Sequence, residues 1–511
     1  MNDAITYLES LSSDVKVIDL SNRDLIELPD LSRFVKLEKL HCINNQLISL
    51  PDPLCSTLTY LDCSKNELTF LPELNHNLKN LICSENKITF LPELNEQLEL
   101  LDCDRNNLVH LPELNANLIE LYCYKNKLIS LPNLNEKLEI IYCSSNKINV
   151  LPELRNVRIL KCNYNKIQML PTLNEKMEIL SCINNNLTSL PPLNRNLSVL
   201  SCCNNKIERL LELNVNLTKL ECSHNELTEL PKFNKMIKEI NCSGNKLFRL
   251  PNFTRNIKDI NCSFNSILSL PRLNKKLRSI DCYNNLLSSL PALNAKLLSI
   301  DCSCNLLTYF PPINKKMHSI RCSYNELKSF PPLNKKIKIL NCSYNKLTKL
   351  PLLNRKIEQL YCDHNKIKCL PPLNEKLKML FCAENQIVSL PKMNNSLKNL
   401  YCRNNKLNDL PILPNSLERF VFNDNPIHSI IFEVINLKKI FGLSERLSFI
   451  KMMIKKIYKL RHLYYCIMYK NKFRNILWMK IREPKIREKY SPDNLAKLLK
   501  YNDCENVIET W

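Results

Sequence analysis

Cysteine is the most reactive residue type that this sequence repeats at a fixed spacing. Of the 25 cysteines, nineteen form one regular series. The series runs through Cys42, Cys63, Cys83, Cys103, Cys123, Cys143 and Cys162, and then through every twentieth residue to Cys402. A thiol can bind a metal ion, form a disulfide or act as a nucleophile once it loses its proton. The spacing helps to decide among these roles, because it fixes where neighbouring thiols point.

The residues before each of these cysteines predict a short β-strand with the thiol on its buried face. Apolar residues alternate with polar ones up to the cysteine, which is the period of a strand with one buried face. Adjacent strands then place their thiols side by side and pointing the same way, whereas tetrahedral zinc needs ligands that converge from different directions. The 8 histidines are scattered. We therefore expect small buried apolar side chains, no metal site and no cofactor.

Other arrangements that would indicate an enzyme do not occur in the sequence. It contains no nucleotide-binding loop, no catalytic triad and no paired carboxylates at a suggestive spacing. We expect a non-enzymatic protein.

Two further residues recur with the cysteine and position it. Asn lies three residues after every cysteine of the series. A buried carboxamide there can bond to backbone groups of its own and adjacent turns, which would otherwise be unpaired. Pro lies nine residues after nearly every cysteine, with Leu211 as the exception. Since Pro removes a donor and favours extended geometry before it, the return path is predicted to be extended and not helical.

The full repeat has a recognisable form. Leu20 takes the place before Cys42, and Phe422 takes the place after Cys402, so we count 21 repeats. Their common string, LxxLxCxxNxLxxLPxLN, resembles the leucine-rich repeat with Cys at one consensus leucine, and so many copies make the resemblance specific. It implies an α+β solenoid: a leucine-rich repeat arc of about 21 parallel short strands with a non-helical convex side.

The short period of the repeat resembles that of one class of leucine-rich repeat proteins. A period of about 20 residues and the variant segment 410–417 resemble the bacterial effector class of the IpaH and YopM type. The Cys-, Asn- and Lys-rich style resembles leucine-rich repeat proteins of mimivirus-type giant viruses. This implies a viral protein acting in a host cell. The catalytic Cys-x-Asp motif of the bacterial class does not occur at Cys466 or Cys504. An adaptor that delivers substrates to a ubiquitin ligase stays open, although no docking box is identified.

Three segments follow from where the repeat begins and ends. Residues 1–14 are predicted to form an N-terminal cap helix, with Ile5, Leu8 and Leu11 at helical spacing. Residues 15–427 are predicted to form the solenoid. Residues 428–511 are predicted to form a small basic helical domain, and residues 427–511 carry a net charge of +10 from 18 Lys and Arg against 8 Asp and Glu.

The C-terminal segment predicts more than one helix. An apolar stripe runs at helical spacing from Leu447 to Met468, and a second helix is indicated from Phe473 to Ile481, ending before Pro484. Ser491 followed by Pro at the first turn predicts a further helix start.

Aromatic residues mark the candidate protein-binding surface. The residues one before and one after each cysteine should face outward on the concave side of the arc. In the middle repeats they are mostly Ser and Asn: Ser181, Ser201, Ser223, Asn241, Ser243, Asn261 and Ser263. Two aromatic groups interrupt them. The first comprises Tyr122, Tyr124 and Tyr142, beside Asp102 and Asp104; the second comprises Tyr361, Phe381 and Tyr401, beside Asp363 and Arg403. Aromatics and Arg often anchor interfaces, so we expect an unidentified protein partner, possibly from the host, on this face.

The basic tail supports a different interpretation. Its candidate phosphate-binding residues are Lys455, Lys456, Lys459, Arg461, Arg482, Lys485 and Arg487. A nucleic-acid-associated protein therefore remains the alternative. A cap helix with a solvated basic face explains the same residues without a ligand.

The sequence also bears on location. The N-terminus has no basic and apolar signal segment, and no apolar run is long enough to span a membrane. We expect an intracellular protein, in the host cytoplasm if viral, that does not act on membranes. The oligomeric state is left open.

Overall fold

The computed structural model describes residues 2–428, 443–489, 491 and 493. The chain divides into two compact units, residues 1–366 and residues 367–511. The limits predicted above for the cap, the solenoid and the C-terminal domain stay predictions.

The first unit contains one helix and eighteen strands of three residues each. Helix α1 is Asn2–Glu9. The strands are β1 (Val17–Asp19), β2 (Lys39–His41), β3 (Tyr60–Asp62), β4 (Asn80–Ile82), β5 (Leu100–Asp102), β6 (Glu120–Tyr122), β7 (Ile140–Tyr142), β8 (Ile159–Lys161), β9 (Ile179–Ser181), β10 (Val199–Ser201), β11 (Lys219–Glu221), β12 (Glu239–Asn241), β13 (Asp259–Asn261), β14 (Ser279–Asp281), β15 (Ser299–Asp301), β16 (Ser319–Arg321), β17 (Ile339–Asn341) and β18 (Gln359–Tyr361).

The second unit contains three strands and a helical part. Its elements are β19 (Met379–Phe381), β20 (Asn399–Tyr401), β21 (Arg419–Val421), helix α2 (Leu443–Leu477), a π-helical stretch (Trp478–Arg482) and helix α3 (Glu483–Lys489).

Within each unit, every strand pairs in parallel with the strand of the next repeat. Equivalent residues face each other, as Leu220 faces Ile240 and Ile240 faces Ile260. The ladder continues past the strand, where the Cys222 N–H donates to the Asn241 carbonyl at 2.8 Å. The predicted fold class, a solenoid of 21 parallel strands with few helices, is confirmed.

The cysteines lie in the core, as predicted. All nineteen members of the series are buried. Leu20 and Phe422, which take the cysteine position in the first and last repeats, are buried as well. The middle residue of nearly every strand packs beside them, so each repeat contributes a thin apolar layer.

The recurring Asn makes the predicted backbone bonds, as Asn225 illustrates. Its Nδ2 donates to the Cys222 carbonyl of its own repeat at 3.2 Å and to the Cys202 carbonyl of the preceding repeat at 3.0 Å. Its Oδ1 accepts the Ile207 N–H at 3.0 Å. One side chain thus pairs backbone groups of two turns, and this explains why one residue type fills the position.

The residue before each recurring Asn adopts a left-handed conformation, which the sequence interpretation did not anticipate. Nineteen of these twenty residues are not glycine, and Gly244 is the remaining one; Asn22, at the same place in the first repeat, is left-handed as well. Such a conformation costs an L-residue about 1–2 kcal/mol. The backbone gains a hydrogen bond in return, because Tyr344 (φ 53°) donates its N–H to the Asp363 carbonyl at 2.8 Å.

The return path is not helical, as predicted. Residues 10–425 contain no helix, and outside the named strands the described residues form a single isolated bridge, between Ser130 and Val150.

Helix α1 differs in detail from the prediction. Ala4 and Leu8 are its buried residues, whereas Ile5 is exposed. Arg33 Nη2 donates to the carbonyls of Leu8 and Leu11, so the end of the helix is held by the first repeat.

The C-terminal helical part also differs from the prediction. Helix α2 runs without interruption to Leu477, so the two expected helices are one. Pro484 does not terminate the helix, because it lies in α3, which follows the π-helical stretch directly with Glu483 in helical geometry and its N–H bonded to the Trp478 carbonyl. The further start at Ser491 continues outside the described residues. None of the described helices is long and apolar enough to cross a membrane.

Candidate protein-binding surface

Four rows of side chains lie on the strand side of the repeats. In most strands the middle residue is buried and its neighbours are partly exposed, which defines a first-strand row and a third-strand row. The residue after the buried cysteine forms a post-cysteine row. The residue after that is left-handed and forms the left-handed row. The sequence interpretation used only the third-strand and post-cysteine rows.

The structure brings Tyr122 and Tyr142 together. Their ring centroids lie 5.1 Å apart in an edge-to-face arrangement. The Tyr122 hydroxyl donates to Glu120 Oε2 at 2.6 Å, and Lys161 Nζ lies 4.1 Å from the centroid of the Tyr142 ring. Three consecutive strands therefore fix an aromatic pair between a carboxylate and an ammonium group.

Tyr124 lies in the post-cysteine row and has other partners. Its N–H bonds to Asp104 Oδ1, and the Arg105 guanidinium lies 5.9 Å from its ring centroid. The three tyrosines are all half-buried. They form two neighbouring groups and not one cluster.

Burial and nearby like charges disfavour the charged forms of the neighbouring carboxylates Asp102 and Asp104. Burial and the nearby charge of Asp102 raise the pKa of Asp104 to about 7. Burial also raises the pKa of Asp102. A cation from a partner would relieve this unfavourable charge.

The second aromatic group divides between the two units. In the second unit, the rings of Phe381 and Tyr401 stack with centroids 4.3 Å apart. Arg403 is exposed, with Nε 4.0 Å from Glu384 Oε1. In the first unit, the Tyr361 hydroxyl lies 3.3 Å from Gln359 Oε1. The interface role of both aromatic groups stays a prediction.

The middle of the strand face is more acidic than the sequence interpretation suggested. An open depression of about 460 Å³ is lined by residues that include Glu221, Glu239, Asp259 and Asp281. Burial and the charge of Glu239 raise the pKa of Asp259. Two of these carboxylates belong to the first-strand row, which explains why counting two rows missed them.

The left-handed row carries an aromatic stack that the sequence interpretation also missed. The rings of Tyr324 and Tyr344 lie 4.0 Å apart at 10°, and those of Tyr344 and His364 lie 4.0 Å apart at 15°. A signal existed in the sequence, since three aromatic residues recur at twenty-residue spacing.

The buried thiols are held in their protonated form. Burial raises the pKa of Cys143 to about 12, and it raises that of Cys222 well above the usual range. The thiolate needed for metal binding or nucleophilic attack is therefore suppressed. In the described part of the chain, no three His, Cys, Asp or Glu side chains are grouped so as to hold a metal ion.

The basic candidates fall into two separate sets. Lys455, Lys456 and Lys459 are exposed on α2. The second set, Arg482, Lys485 and Arg487, follows more than twenty residues later, on the order of 35 Å along a helical path. Arg487 Nη2 pairs with Glu483 Oε1 at 3.1 Å. Arg461 lies on α2, and its side chain is outside the described set.

Helix α2 contacts the last repeat through few residues. Ile450 and Ile454 are buried, and Lys451 Nζ donates to the carbonyls of Asn415 at 3.1 Å and Leu417 at 2.8 Å. Beyond this contact, large apolar residues such as Leu463 and Trp478 are exposed together with the basic ones. The helix thus covers the last repeat through the segment 450–454.

A stack of parallel strands with one Asn ladder, one buried cysteine row and a non-helical return path defines a leucine-rich repeat protein. The chain is such a protein, and its structural neighbours include bacterial effectors of the YopM type. YopM from Yersinia enterocolitica WA-314 is 29% identical, with a TM-score of 0.81 over 83% of this chain and 94% of that one.

More distant neighbours share the fold alone. The Arabidopsis receptor kinase HAESA, solved with the peptide hormone IDA and the co-receptor SERK1, is 18% identical, with a TM-score of 0.57 over 81% of this chain and 83% of its own. The plant peptide hormone receptor RGFR1, solved with RGF2, is 16% identical, with a TM-score of 0.54 over 77% and 72%. No family model matches the chain, and no curated protein matches it.

Proposed function

We propose that this protein is a non-enzymatic scaffold that binds a partner protein on the strand face of its repeats. The observation that supports the proposal is the Tyr122–Tyr142 pair, held by consecutive strands between Glu120 and Lys161. Rigid aromatic side chains with charged neighbours are the residues that carry binding energy in interfaces. Fold neighbours solved with peptide ligands are consistent with such a role.

A pair of matched variants tests the proposal. Full-length protein serves as bait in a eukaryotic cell lysate, and captured proteins are quantified by mass spectrometry. Replacing Tyr122 and Tyr142 by Ser should reduce capture of a specific partner by at least about tenfold. The control replaces Phe70 and Phe90 by Ser; these are exposed aromatics in adjacent repeats that lie off the strand rows. Equal loss in both variants, or no loss in the first, would remove the strand face from the proposal.

The second candidate function is nucleic-acid binding through α2 and α3. Exposed Lys455, Lys456 and Lys459 beside exposed apolar residues favour it. Electrophoretic mobility shift with double-stranded DNA and single-stranded RNA, at rising salt, measures it. Replacing the three lysines by Ala should weaken binding and flatten its salt dependence, while binding that persists at high salt would contradict phosphate recognition.

The cellular setting that we propose rests on the sequence resemblance. The Cys-, Asn- and Lys-rich repeat style supports a viral protein that acts inside a host cell, with a host protein as partner. The adaptor role for a ubiquitin ligase rests on the effector resemblance alone.

A further inference from the structure

A basic surface lies on the turns that precede five consecutive strands of the first unit, β14 to β18. Each turn presents two neighbouring exposed residues. Nine of these ten residues are Lys or Arg, and the tenth is Ala295. The nine are Lys275, Lys276, Lys296, Lys315, Lys316, Lys335, Lys336, Arg355 and Lys356. We name them the basic turn ridge.

Asn side chains hold these turns in one conformation and in register. In each turn, the Asn directly before the pair accepts the N–H of the second residue of the pair, as Asn274 accepts that of Lys276 at 2.7 Å. In the four later turns, from Asn294 to Asn354, the same Asn donates Nδ2 to the carbonyl of the equivalent Asn one repeat earlier, at 2.6 to 2.9 Å. The turns are therefore stacked at about the strand spacing of 4.8 Å, which places the nine cations along roughly 20 Å.

The fold does not require basic residues in these turns. The eight equivalent turns before β4 to β11 have sixteen such residues, of which four are basic and three are acidic. They are Lys137, Arg155, Lys176 and Arg195 against Glu96, Glu136 and Glu175. Those eight turns carry a net charge of +1, whereas the five turns of the ridge carry +9. Because both sets form the turn, the charge of the ridge is not explained by folding.

The ridge is not neutralised by carboxylates among the described residues. None of its nine side chains forms an ion pair there, and Lys276 Nζ donates to a neutral group, Asn256 Oδ1, at 2.9 Å. Glu358, three residues after Arg355, lies 4.0 Å from the ammonium of Lys338, which is outside the ridge. Like charges at this density repel one another, so a polyanion from outside would relieve the repulsion.

The density of charge indicates the kind of polyanion. Nine cations along roughly 20 Å are one charge for about every 2 Å, close to the one phosphate charge per about 1.7 Å of a nucleic acid duplex. An extended acidic peptide reaches one charge per about 3.3 Å at most, even if every residue is acidic. The ridge has no aromatic side chain, whereas single-stranded nucleic acids are bound by stacking their bases on aromatics. It also has no large apolar side chain to insert into a membrane surface.

The residue type of the ridge favours phosphates over base edges. Eight of the nine residues are Lys, and Arg355 is the exception. A Lys ammonium is a compact charge on a flexible stem, which suits a phosphate, whereas bases are read mainly by planar groups that bond through two atoms. Contacts of this type fix a protein on the duplex without reading its sequence.

We propose that the basic turn ridge binds the phosphate backbone of a nucleic acid duplex without sequence preference. The inference goes beyond protein binding on the strand face, and it assigns duplex binding to a surface other than α2 and α3. Substitutions on the strand face or on α2 leave the ridge intact, so failure of one proposal is distinguishable from failure of another.

The test measures fluorescence anisotropy of labelled duplexes with the full-length protein at rising salt. DNA and RNA duplexes of one sequence distinguish the two sources of a duplex, and at least one should bind with a dissociation constant below about 100 μM near physiological salt. The logarithm of the association constant should fall linearly with the logarithm of the salt concentration. A single strand of the same length should bind more weakly, because it has half the charge and the ridge offers no ring for its bases.

Matched variants locate the binding. The ridge variant combines Lys315→Gln, Lys316→Gln, Lys335→Gln and Lys336→Gln; it should weaken duplex binding about tenfold or more and reduce the salt slope by roughly 3. The control variant makes the same change of charge at exposed lysines of the first unit outside these turns, and its slope should change by less than about 1. It combines Lys127→Gln, Lys147→Gln, Lys166→Gln and Lys206→Gln. Circular dichroism and thermal melting confirm that each variant is folded.

A third variant separates the ridge from the C-terminal helices. It combines Lys455→Ala, Lys456→Ala and Lys459→Ala, and the ridge variant should weaken duplex binding whether or not these changes are present. The inference is overturned if no duplex binds, if the ridge and control variants weaken binding equally, or if only the α2 variant weakens it. Equal binding of the single strand would overturn the assignment to a duplex.

Two further probes cover other anionic partners. Vesicles containing phosphatidylserine and a polyglutamate peptide should each bind more weakly than the duplex. If either binds as tightly as the duplex and the ridge variant abolishes that binding, the ridge belongs to a membrane surface or to an acidic protein segment instead, and the inference is wrong.

Discussion

In each repeat, the side chains of the recurring Asn and the recurring Cys stabilise the fold in different ways. The thiol fills a space with an apolar group and little more. The carboxamide of Asn225 reaches four backbone groups in two repeats, at 3.0 to 3.2 Å. An apolar residue of similar size would leave the buried Ile207 N–H unpaired and would remove one of the two carboxamide donors to each of the Cys202 and Cys222 carbonyls. The Asn position therefore tolerates less change than the cysteine position.

Replacing Asn225 by Ala should lower the free energy of unfolding by about 1–3 kcal/mol, because the buried Ile207 N–H loses its partner and the Cys202 and Cys222 carbonyls each lose one of two carboxamide donors. Urea unfolding followed by circular dichroism measures the change. Asn186→Ala is the control, since Asn186 is exposed and its substitution should stay within about 0.5 kcal/mol. Equal effects at the two positions would contradict the role assigned to the buried carboxamide.

Asp104 should make stability fall with rising pH. Its pKa is raised from 3.8 to about 7 by burial and by Asp102, so the folded state holds the proton more tightly than the unfolded state. The stabilising contribution is complete below pH 3.8 and is lost as the pH rises through about 7. In Asp104→Asn, the fall in unfolding free energy between acid and neutral pH should be smaller by on the order of 1 kcal/mol, a value discounted for solvent screening.

Asp19 is the control, because its pKa is shifted in the opposite direction to that of Asp104. Hydrogen bonds from Ser21 lower the pKa of Asp19, so its contribution is present above the unfolded pKa and is lost on acidification. Asp19→Asn should therefore flatten the acid side of the stability profile. Parallel profiles for the two variants would contradict the assigned pKa shifts.

At the scale of the element, the sequence predicted the strand and the return path but not the turn between them. Alternation before the cysteine and Pro after it are properties of single residues, and both expectations are confirmed. The left-handed residue carries no such mark, because its position is filled by residues as different as Lys65, His224 and Tyr344. The ladder hydrogen bonds of neighbouring repeats impose that conformation, and no local pattern encodes them. The aromatic stack of Tyr324, Tyr344 and His364 was missed for the same reason.

The proline of the return path offers a stabilising substitution. Leu211 stands where nearly all other repeats have Pro, and its N–H makes no backbone hydrogen bond in the described structure. Leu211→Pro should raise the free energy of unfolding by about 0.4–1 kcal/mol, because it restricts the unfolded chain without removing a bond. Thermal melting measures the gain, with Leu211→Ala as the control for loss of the exposed side chain. A lower melting temperature for the proline variant would indicate a strained site.

At the scale of the whole molecule, each repeat touches only its neighbours, so stability is a sum of local terms. End repeats lack one neighbour, and something must cover them. In the second unit that role falls to α2, through Ile450, Lys451 and Ile454. The sequence predicted a helical cap but not which residues dock, because the stripe from Leu447 to Met468 continues well past the contact. Leu460 and Met468 belong to that stripe and are exposed.

Removing the cap contact should therefore act locally. Ile454→Ser should speed amide hydrogen exchange in β20 and β21 by about tenfold or more and leave β4 to β6 unchanged, since an opened end does not affect distant repeats. Leu463→Ser is the matched control, because Leu463 is exposed on the same helix and its loss should change exchange in neither region. Hydrogen–deuterium exchange with mass spectrometry resolves these peptides. Faster exchange along the entire chain would show that the repeats unfold as one cooperative body, and unchanged exchange at β21 would show that α2 does not cap it.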